Sequence, residues 1–69
     1  MLETAVIGLG WWGATIIRAL NESKKISVVA GVDSDEKHGT KFTREHNIRF
    51  YKHIDDALAD PNIEAVIIA

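Results

Sequence analysis

The 69-residue sequence contains no cysteine and only one proline. Without cysteine there can be no disulfide, thiolate zinc site, iron–sulfur cluster or cysteine nucleophile, so this small chain depends on its apolar core for stability. Basic residues are also few, since eight Lys and Arg stand against 10 Asp and Glu and the formal net charge is -2. This balance lacks the basic surface of a nucleic-acid-binding protein, and we expect no nucleic-acid partner.

Long apolar runs are missing as well. No run reaches the ~18 residues that a membrane-spanning helix needs, so we expect no membrane partner. The uncharged stretch 4–17 has the character of a signal-peptide core, but glycines interrupt it and Glu3 stands where a basic flank is expected. These absences predict a cytoplasmic protein.

The residues that are present indicate a globular domain, with 46% hydrophobic and 26% charged. The last five residues, 65–69 (AVIIA), are typical of a strand buried on both faces, and no turn or cap follows them. We therefore expect residues 1–69 to be the N-terminal part of a larger domain.

Apolar periodicity divides the chain into alternating strands and helices. The predicted strands are residues 4–7, 26–32, 48–51 and 64–69. The predicted helices run from residue 12 to lysines 24 and 25, from Ser34 as the N-cap to Asn47 as a left-handed exit, and over residues 55–60 before Pro61. This β-α-β-α-β-α-β order predicts an α/β fold, the first half of a doubly wound and mostly parallel sheet.

The first predicted helix has one apolar stripe that should face the sheet. Its members at helical spacing are Trp12, Ile16, Ala19 and Leu20, with Ile17 widening the stripe. We interpret Trp11 and Trp12 as packing residues rather than as residues that stack on a base.

A glycine motif follows the first predicted strand. Gly8-Leu9-Gly10-Trp11-Trp12-Gly13 matches the pattern G-x-G-x-x-G, which is weak evidence by itself because glycine-rich turns are common. Its context is more specific, since it joins a strand to a helix in a β-α-β unit and Asp33 ends the second strand 20 positions after Gly13. Together these features predict the dinucleotide-binding fingerprint of a Rossmann fold.

Each residue of the motif has a physical role in that interpretation. Gly8 allows a tight turn, Gly10 lets a pyrophosphate approach the backbone, and Gly13 lets the helix pack closely on the sheet. The first helical amides would bind phosphate oxygens, and Asp33 would accept hydrogen bonds from the adenosine ribose. The predicted cofactor-binding residues are Gly8, Leu9, Gly10, Trp11, Trp12, Gly13, Asp33 and Ser34.

The carboxylate of Asp33 favours NAD over NADP, because it would repel a 2′-phosphate and no arginine follows directly to bind one. Lys37, one turn later, weakens this preference. In the alternative interpretation the glycines form only a tight strand–helix junction, and Asp33 only caps the second helix.

The other polar residues indicate no site. No pair of histidines has the i, i+4 spacing of a helical metal site, and we expect surface positions with no metal bound for His38, His46 and His53. Around the third helix we expect caps and a polar face from Asp55, Asp56 and Asp60. Neither a phosphate-binding Gly-Lys-Ser/Thr loop nor a G-x-S-x-G elbow is present.

Three segments of the sequence together resemble the N-terminus of the glucose-fructose oxidoreductase, inositol dehydrogenase and MocA family. They are residues 5–13 (AVIGLGWWG), 29–33 (VAGVD) and 56–69 (DALADPNIEAVIIA). The third segment, a short helix with Leu-x-Asp-Pro that leads into an apolar strand, is more specific than the glycine motif. The match spans the whole chain.

The resemblance implies an oxidoreductase that transfers hydride between a nicotinamide dinucleotide and a hydroxyl carbon of a sugar, cyclitol or related polyol. It also implies a homo-oligomer. Only the cofactor half of the family pattern is present, and the resemblance places the Thr-Pro segment, the Glu-Lys-Pro motif with the catalytic lysine and the substrate domain after Ala69. No catalytic residue is therefore assigned within this sequence.

The sequence leaves two other functions open. One is a non-enzymatic dinucleotide sensor, in which the same half-fold binds the cofactor and changes a protein contact. The other is a transferase or reductase that uses a different adenine-bearing cofactor, because the fold alone does not define the chemistry.

Overall fold

The computed structural model describes residues 1–69, and strands and helices alternate along the whole chain. The strands are β1 (Leu2–Ile7), β2 (Ile26–Val32), β3 (Arg49–Tyr51) and β4 (Ala65–Ile68), and the helices are α1 (Trp11–Leu20), α2 (Glu36–Glu45) and α3 (Ile54–Leu58). Every element corresponds to one predicted from the sequence, although several ends differ. None of the helices is long and apolar enough to cross a membrane.

The strands form one parallel sheet in the order β3-β2-β1-β4. β1 pairs on both sides, and its pairing with β4 runs from Thr4 opposite Ala65 to Ile7 opposite Ile68. β2 and then β3 extend the sheet on one side of β1, and β4 pairs with the other side of β1. This is the strand order of the first half of a Rossmann sheet, which confirms the predicted fold class.

The helices cover both faces of the sheet, and two apolar clusters fill the space beneath them. On the α1/α2 face, Val6 and Ile17 are fully buried and Phe42 of α2 packs beside them. On the α3 face, Ala5 is buried with Ala57 of α3. Successive residues of β1 therefore serve opposite faces, as the pleat of a strand requires.

β2 contains one additional residue relative to β1. Thr4 lies opposite Val28, but the next residue of β1, Ala5, lies opposite Ala30, so Val29 is left without a partner in the register. Such bulges are rare in parallel sheets. As a result Val28 packs on the α1/α2 face, whereas Ala30 packs on the α3 face.

α1 ends earlier than predicted. Its last residue is Leu20, and Lys24 and Lys25 lie in the connection to β2 rather than at the C-terminus of the helix. There the Ser23 hydroxyl accepts hydrogen bonds from the next backbone amides, at 3.1 Å from the Lys25 nitrogen. This local side-chain bond turns the chain into β2 and competes with a further helical turn.

The buried stripe of α1 also differs from the prediction. The buried residues are Gly13 and Ile17, whereas Trp11, Trp12 and Ala19 are exposed. The interpretation of the two tryptophans as packing residues is therefore wrong. The reason is that α1 packs against the β1–α1 turn through Gly13, which has no side chain. With Gly13 on the buried side of the helix, both indoles point toward solvent.

α2 begins later than predicted, because Asp35 and not Ser34 is its N-cap. The Asp35 carboxylate accepts a 3.1 Å hydrogen bond from the His38 amide, which satisfies a donor of the first turn. The predicted capping role of Ser34 is therefore wrong. After the helix, Asn47 has a φ of 57°, which confirms the predicted left-handed exit.

Asp60 is buried and is not part of a polar surface, contrary to the prediction. Its carboxylate accepts hydrogen bonds from Arg49 Nη1 at 2.8 Å, from the Tyr51 hydroxyl at 2.6 Å and from the Asn62 amide at 2.9 Å. These bonds tie β3 to the turn that leads into β4. The two other aspartates of this region, on α3, are exposed as expected.

Candidate functional site

The turn between β1 and α1 begins at Gly8. Its φ of +93° lies in a region of backbone conformation that residues other than glycine rarely adopt. The Gly8 amide donates a 2.7 Å hydrogen bond to the carbonyl of Val32, the last residue of β2. The turn is therefore fixed at the carboxyl edge of the sheet, where ligands bind in open α/β sheets.

Gly13 is buried where α1 crosses this turn. A Cβ on Gly13 would overlap the Gly8 carbonyl group, whose carbon would lie only 2.8 Å away. The obstacle is backbone, so it could move aside only if the helix or the turn shifted. α1 can approach the turn this closely only with glycine at position 13.

Gly10 borders open space, because a Cβ placed on it would meet no heavy atom within 4 Å. It is the N-cap of α1, no side chain caps this helix, and the first turn contains no acidic residue. The first amides of a helix have no partner within the helix and attract anions. The space beside Gly10 therefore suits a phosphate group that approaches the backbone.

A cavity of about 240 Å³ lies at the turn, and its lining residues are Gly8, Gly10, Trp11, Trp12, Gly13 and Ala69. No charged side chain lines it, so backbone groups and the two indoles would make the contacts to a ligand. A larger hollow runs along the outer surface of α2, but it has no apolar lining residue and contains none of the predicted site residues. The cavity at the glycine turn is the better candidate for a binding site.

Asp33 directly follows β2 and contacts the glycine turn. Its Oδ2 accepts a 2.9 Å hydrogen bond from the Leu9 amide, and its Oδ1 accepts one of 2.9 Å from the Asp35 amide. Because a carboxylate offers about four lone-pair sites, both oxygens can accept a further bond from a ligand hydroxyl. The structure thus brings the predicted ribose acceptor and the predicted phosphate loop together, with Ser34 exposed beside them.

Leu9 is held at three points. Its side chain is fully buried over Gly31, where an added Cβ would lie 2.8 Å from Leu9 Cδ2. Its amide binds Asp33, and its carbonyl accepts a 2.7 Å hydrogen bond from Nε2 of His38. A carbonyl oxygen can only accept, so Nε2 carries a proton.

His38 is exposed, as predicted, but no pattern in the sequence indicates its contact with the loop. The contact joins residues 29 positions apart, and it depends on how α2 lies against the turn. Of the other histidines, His53 is exposed, whereas the ring of His46 is half-buried with its centroid 4.3 Å from that of Phe42. His46 is thus only partly exposed at the surface, because its ring packs on Phe42, one turn earlier.

Trp11 and Trp12 stand at the entrance to the cavity. They are 70% and 66% exposed, although both are large apolar side chains. Their rings form a T-shaped pair with centroids 4.8 Å apart and an interplanar angle of 79°. The two indoles therefore contact each other rather than the core.

The cluster around Asp60 lies on the α3 face, away from this site. The hydrogen bond from Tyr51 lowers the pKa of Asp60, with the Asn62 amide contributing, and the same bond raises the pKa of Tyr51. Both shifts follow from contacts within the fold. We interpret the cluster as structural.

Residues 2–69 match the sequence profile of the Gfo/Idh/MocA group, described as an oxidoreductase family with an NAD-binding Rossmann fold. The chain belongs to this family, and its fold is of the Rossmann type that the family description names. The resemblance carried by the three sequence segments is confirmed. No curated protein matches the chain.

Several solved structures share the fold over nearly all of the chain. GenD2 from gentamicin A biosynthesis, in complex with NAD, is 31% identical with a TM-score of 0.90 over 99% of this chain and 20% of its own. The myo-inositol dehydrogenase from Lactobacillus casei, in complex with NAD(H) and myo-inositol, is 28% identical with a TM-score of 0.89 over 100% of this chain and 21% of its own.

A third structure comes from Desulfitobacterium hafniense and is provisionally named an NADPH-dependent oxidoreductase. It is 29% identical, with a TM-score of 0.90 over 99% of this chain and 20% of its own. The chain thus spans about a fifth of the length of these structures.

Proposed function

We propose that the glycine turn and Asp33 form the adenosine-ribose and pyrophosphate part of an NAD site. The observation that carries the proposal is the hydrogen bond between Asp33 and the Leu9 amide, because it holds a ribose acceptor beside a phosphate loop. The proposed contact residues are Gly8, Leu9, Gly10, Trp11, Trp12, Gly13, Asp33 and Ser34.

The geometry of these residues fits the cofactor. The open space beside Gly10 leaves room for a pyrophosphate, and the first amides of α1 lie next to it. The remaining acceptor positions of Asp33 suit the ribose hydroxyls. A bound nicotinamide dinucleotide supplies the hydride acceptor or donor, and the residues of this chain bind and orient it.

The proposal includes a preference for NAD over NADP. The carboxylate of Asp33 would repel a 2′-phosphate, and its two hydrogen-bond donors in the chain are backbone amides rather than a basic side chain. Lys37 is exposed on the first turn of α2, and it is the nearest basic residue in sequence that could bind such a phosphate. A preference for NADP would therefore require Lys37 to outweigh the charge of Asp33.

For the whole protein we propose a dehydrogenase that transfers hydride between the nicotinamide ring and a hydroxyl carbon of a polyol-type substrate. Residues 1–69 would form the N-terminal part of its dinucleotide-binding domain. We also propose that it works as a homo-oligomer, as the family resemblance implies. The support is membership of the family and the myo-inositol complex of the Lactobacillus casei relative. No residue of this chain is proposed as catalytic.

Calorimetric titration of the purified full chain with NAD⁺ tests the cofactor site. The Gly10→Ala variant should bind NAD⁺ about tenfold more weakly, because the new methyl group keeps the phosphates from the amides and charge-assisted hydrogen bonds are lost. Asp56→Ala is the matched control, since Asp56 is exposed on the opposite face of the sheet. If the unaltered chain did not bind NAD⁺, or if Gly10→Ala bound it as tightly, the proposed site would be wrong.

A further inference from the structure

The exposure of Trp11 and Trp12 has no explanation in the packing of the chain. The largest side chains of a small domain are normally at least half-buried, because each buries 150–250 Å² in a core, as a rough figure. Here the buried face of α1 is made by Gly13 and Ile17 instead. The two indoles contact each other and line the cavity at the glycine turn.

The cavity lies toward β4, on the opposite side of the turn from Asp33. Asp33 follows β2 and Ala69 follows β4, and in the sheet these two strands flank β1 on opposite sides. Ala69 continues the ladder, since its amide donates a 2.9 Å hydrogen bond to the Ile7 carbonyl, and it lines the cavity with the two tryptophans. A dinucleotide with one ribose at Asp33 and its phosphates at Gly10 would extend its second nucleoside into this cavity.

The second nucleoside of NAD⁺ carries a positively charged aromatic ring, whereas that of NADH is neutral. Tryptophan offers the best aromatic face for a cation, and the attraction grows where water is excluded. No acidic side chain lines the cavity to bind this charge in another way. The indoles are therefore the groups at this position that can distinguish the oxidised from the reduced ring.

We propose that Trp11 and Trp12 bind the nicotinamide ring and favour its oxidised, cationic form. This inference rests on the proposed cofactor site and adds a second binding element to it. The phosphate contacts come from backbone amides, which remain when either indole is replaced. The contribution of the indoles can therefore be separated from that of the rest of the site.

The test compares three ligands on the purified full chain: NAD⁺, NADH and ADP-ribose, which lacks the nicotinamide ring. Trp11→Ala and Trp12→Ala should retain the fold, because both side chains are exposed and alanine favours helix. We expect at least one of them to bind NAD⁺ about tenfold more weakly, to lose less affinity for NADH, and to bind ADP-ribose within about twofold of the unaltered chain. Trp→Phe at the same position should recover part of the loss, because phenylalanine keeps an aromatic face.

Each other outcome has a distinct meaning. If both alanine variants bind NAD⁺ as the unaltered chain does, or lose equal affinity for NAD⁺ and ADP-ribose, the tryptophans do not bind the nicotinamide ring and the inference is overturned. An equal loss for NAD⁺ and NADH would overturn the preference for the oxidised form. If the unaltered chain binds neither NAD⁺ nor ADP-ribose, it is the proposed cofactor site that fails.

Discussion

The Asp33 carboxylate and the Leu9 backbone amide are joined by a 2.9 Å hydrogen bond. This bond connects the end of β2 to the turn after β1, and it fixes a negative charge next to the loop that would hold phosphates. In the proposed site this carboxylate would accept hydrogen bonds from the ribose, so its charge should control which dinucleotide binds. The selectivity of the site should therefore depend on Asp33.

The Asp33→Asn variant should show this dependence. The asparagine oxygen can still accept the hydrogen bond from the Leu9 amide, but the side-chain nitrogen cannot accept the one from the Asp35 amide. The neutral group also no longer repels a 2′-phosphate, and it is a weaker ribose acceptor. We expect NAD⁺ to bind about tenfold more weakly and the preference for NAD⁺ over NADP⁺ to decrease, as measured by parallel calorimetric titrations. Unchanged affinities for both cofactors would show that Asp33 is only a structural bridge.

The glycines at positions 10 and 13 should separate binding from folding. Gly13→Ala places a methyl group against the Gly8 carbonyl and should lower the free energy of unfolding by about 3 kcal/mol. Gly10→Ala places the same group in open space, so its free energy of unfolding should change by no more than about 1 kcal/mol. Urea unfolding followed by circular dichroism gives both values, and equal destabilisation by the two substitutions would contradict the packing described for α1.

His38 should stabilise the loop through its bond to the Leu9 carbonyl. His38→Ala removes that donor and should lower the free energy of unfolding by about 1 kcal/mol. It should also weaken NAD⁺ binding severalfold, because Leu9 loses one of its anchors. His53→Ala is the control, since His53 is exposed and its side chain does not cap α3. If the two variants behaved alike in urea unfolding and in titration, His38 would have no positioning role.

The Asp60 cluster should make stability depend on pH at the acidic end. The bond from Tyr51 lowers the pKa of Asp60 below its usual 3.8, so the folded state favours the ionised carboxylate. The resulting stabilisation is present above that usual value and is lost as the pH falls through the lowered pKa of the folded state. Thermal melts between neutral pH and the strongly acidic range should show a fall in melting temperature that is smaller in Tyr51→Phe than in the unaltered chain. If the melting temperature fell equally in both proteins, the hydrogen bond from Tyr51 would not be the cause of the acid dependence.

The same bond should act with the opposite sign at alkaline pH. Because the bond to Asp60 raises the pKa of Tyr51 above 10.0, the folded state favours the protonated phenol. The stabilisation from this bond is therefore complete below pH 10.0, and it is lost as the pH rises through the raised pKa of Tyr51 in the folded state. Thermal melts across this range should show the decrease in the unaltered chain, and Asp60→Asn should make it smaller.

Much of the fold and the core of the site could be predicted because they depend on local patterns. The glycine motif, the β-branched strands and Asp33 at a strand end are short-range signals, and the alternation of strands and helices leaves few topologies open. The tryptophans were misassigned because apolar periodicity counts every large apolar residue as buried. In α1 the smallest residue, Gly13, occupies the position of closest contact.

The contacts that could not be predicted are those between segments far apart in the sequence. The bond from His38 to Leu9 and the burial of Asp60 require the relative positions of α2, β3 and the turn after α3. The sequence also does not indicate that Val29 is an extra residue in β2. It lies in a run of apolar residues that suits a strand whether or not one residue is left unpaired.

The extra residue Val29 determines which face of the sheet each later residue of β2 points to. After Val29 the odd-numbered positions point toward α1 and α2, so Gly31 meets Leu9 and Asp33 reaches the same side of the sheet. A strand one residue shorter would aim its terminal carboxylate at α3, although the glycine motif and the acidic residue would still be present. The number of residues between the last glycine and the acidic residue therefore determines on which face of the sheet the carboxylate lies, as well as how far away it is. In this chain an insertion or deletion in the middle of β2 should separate Asp33 from the Leu9 amide without changing any of the proposed contact residues.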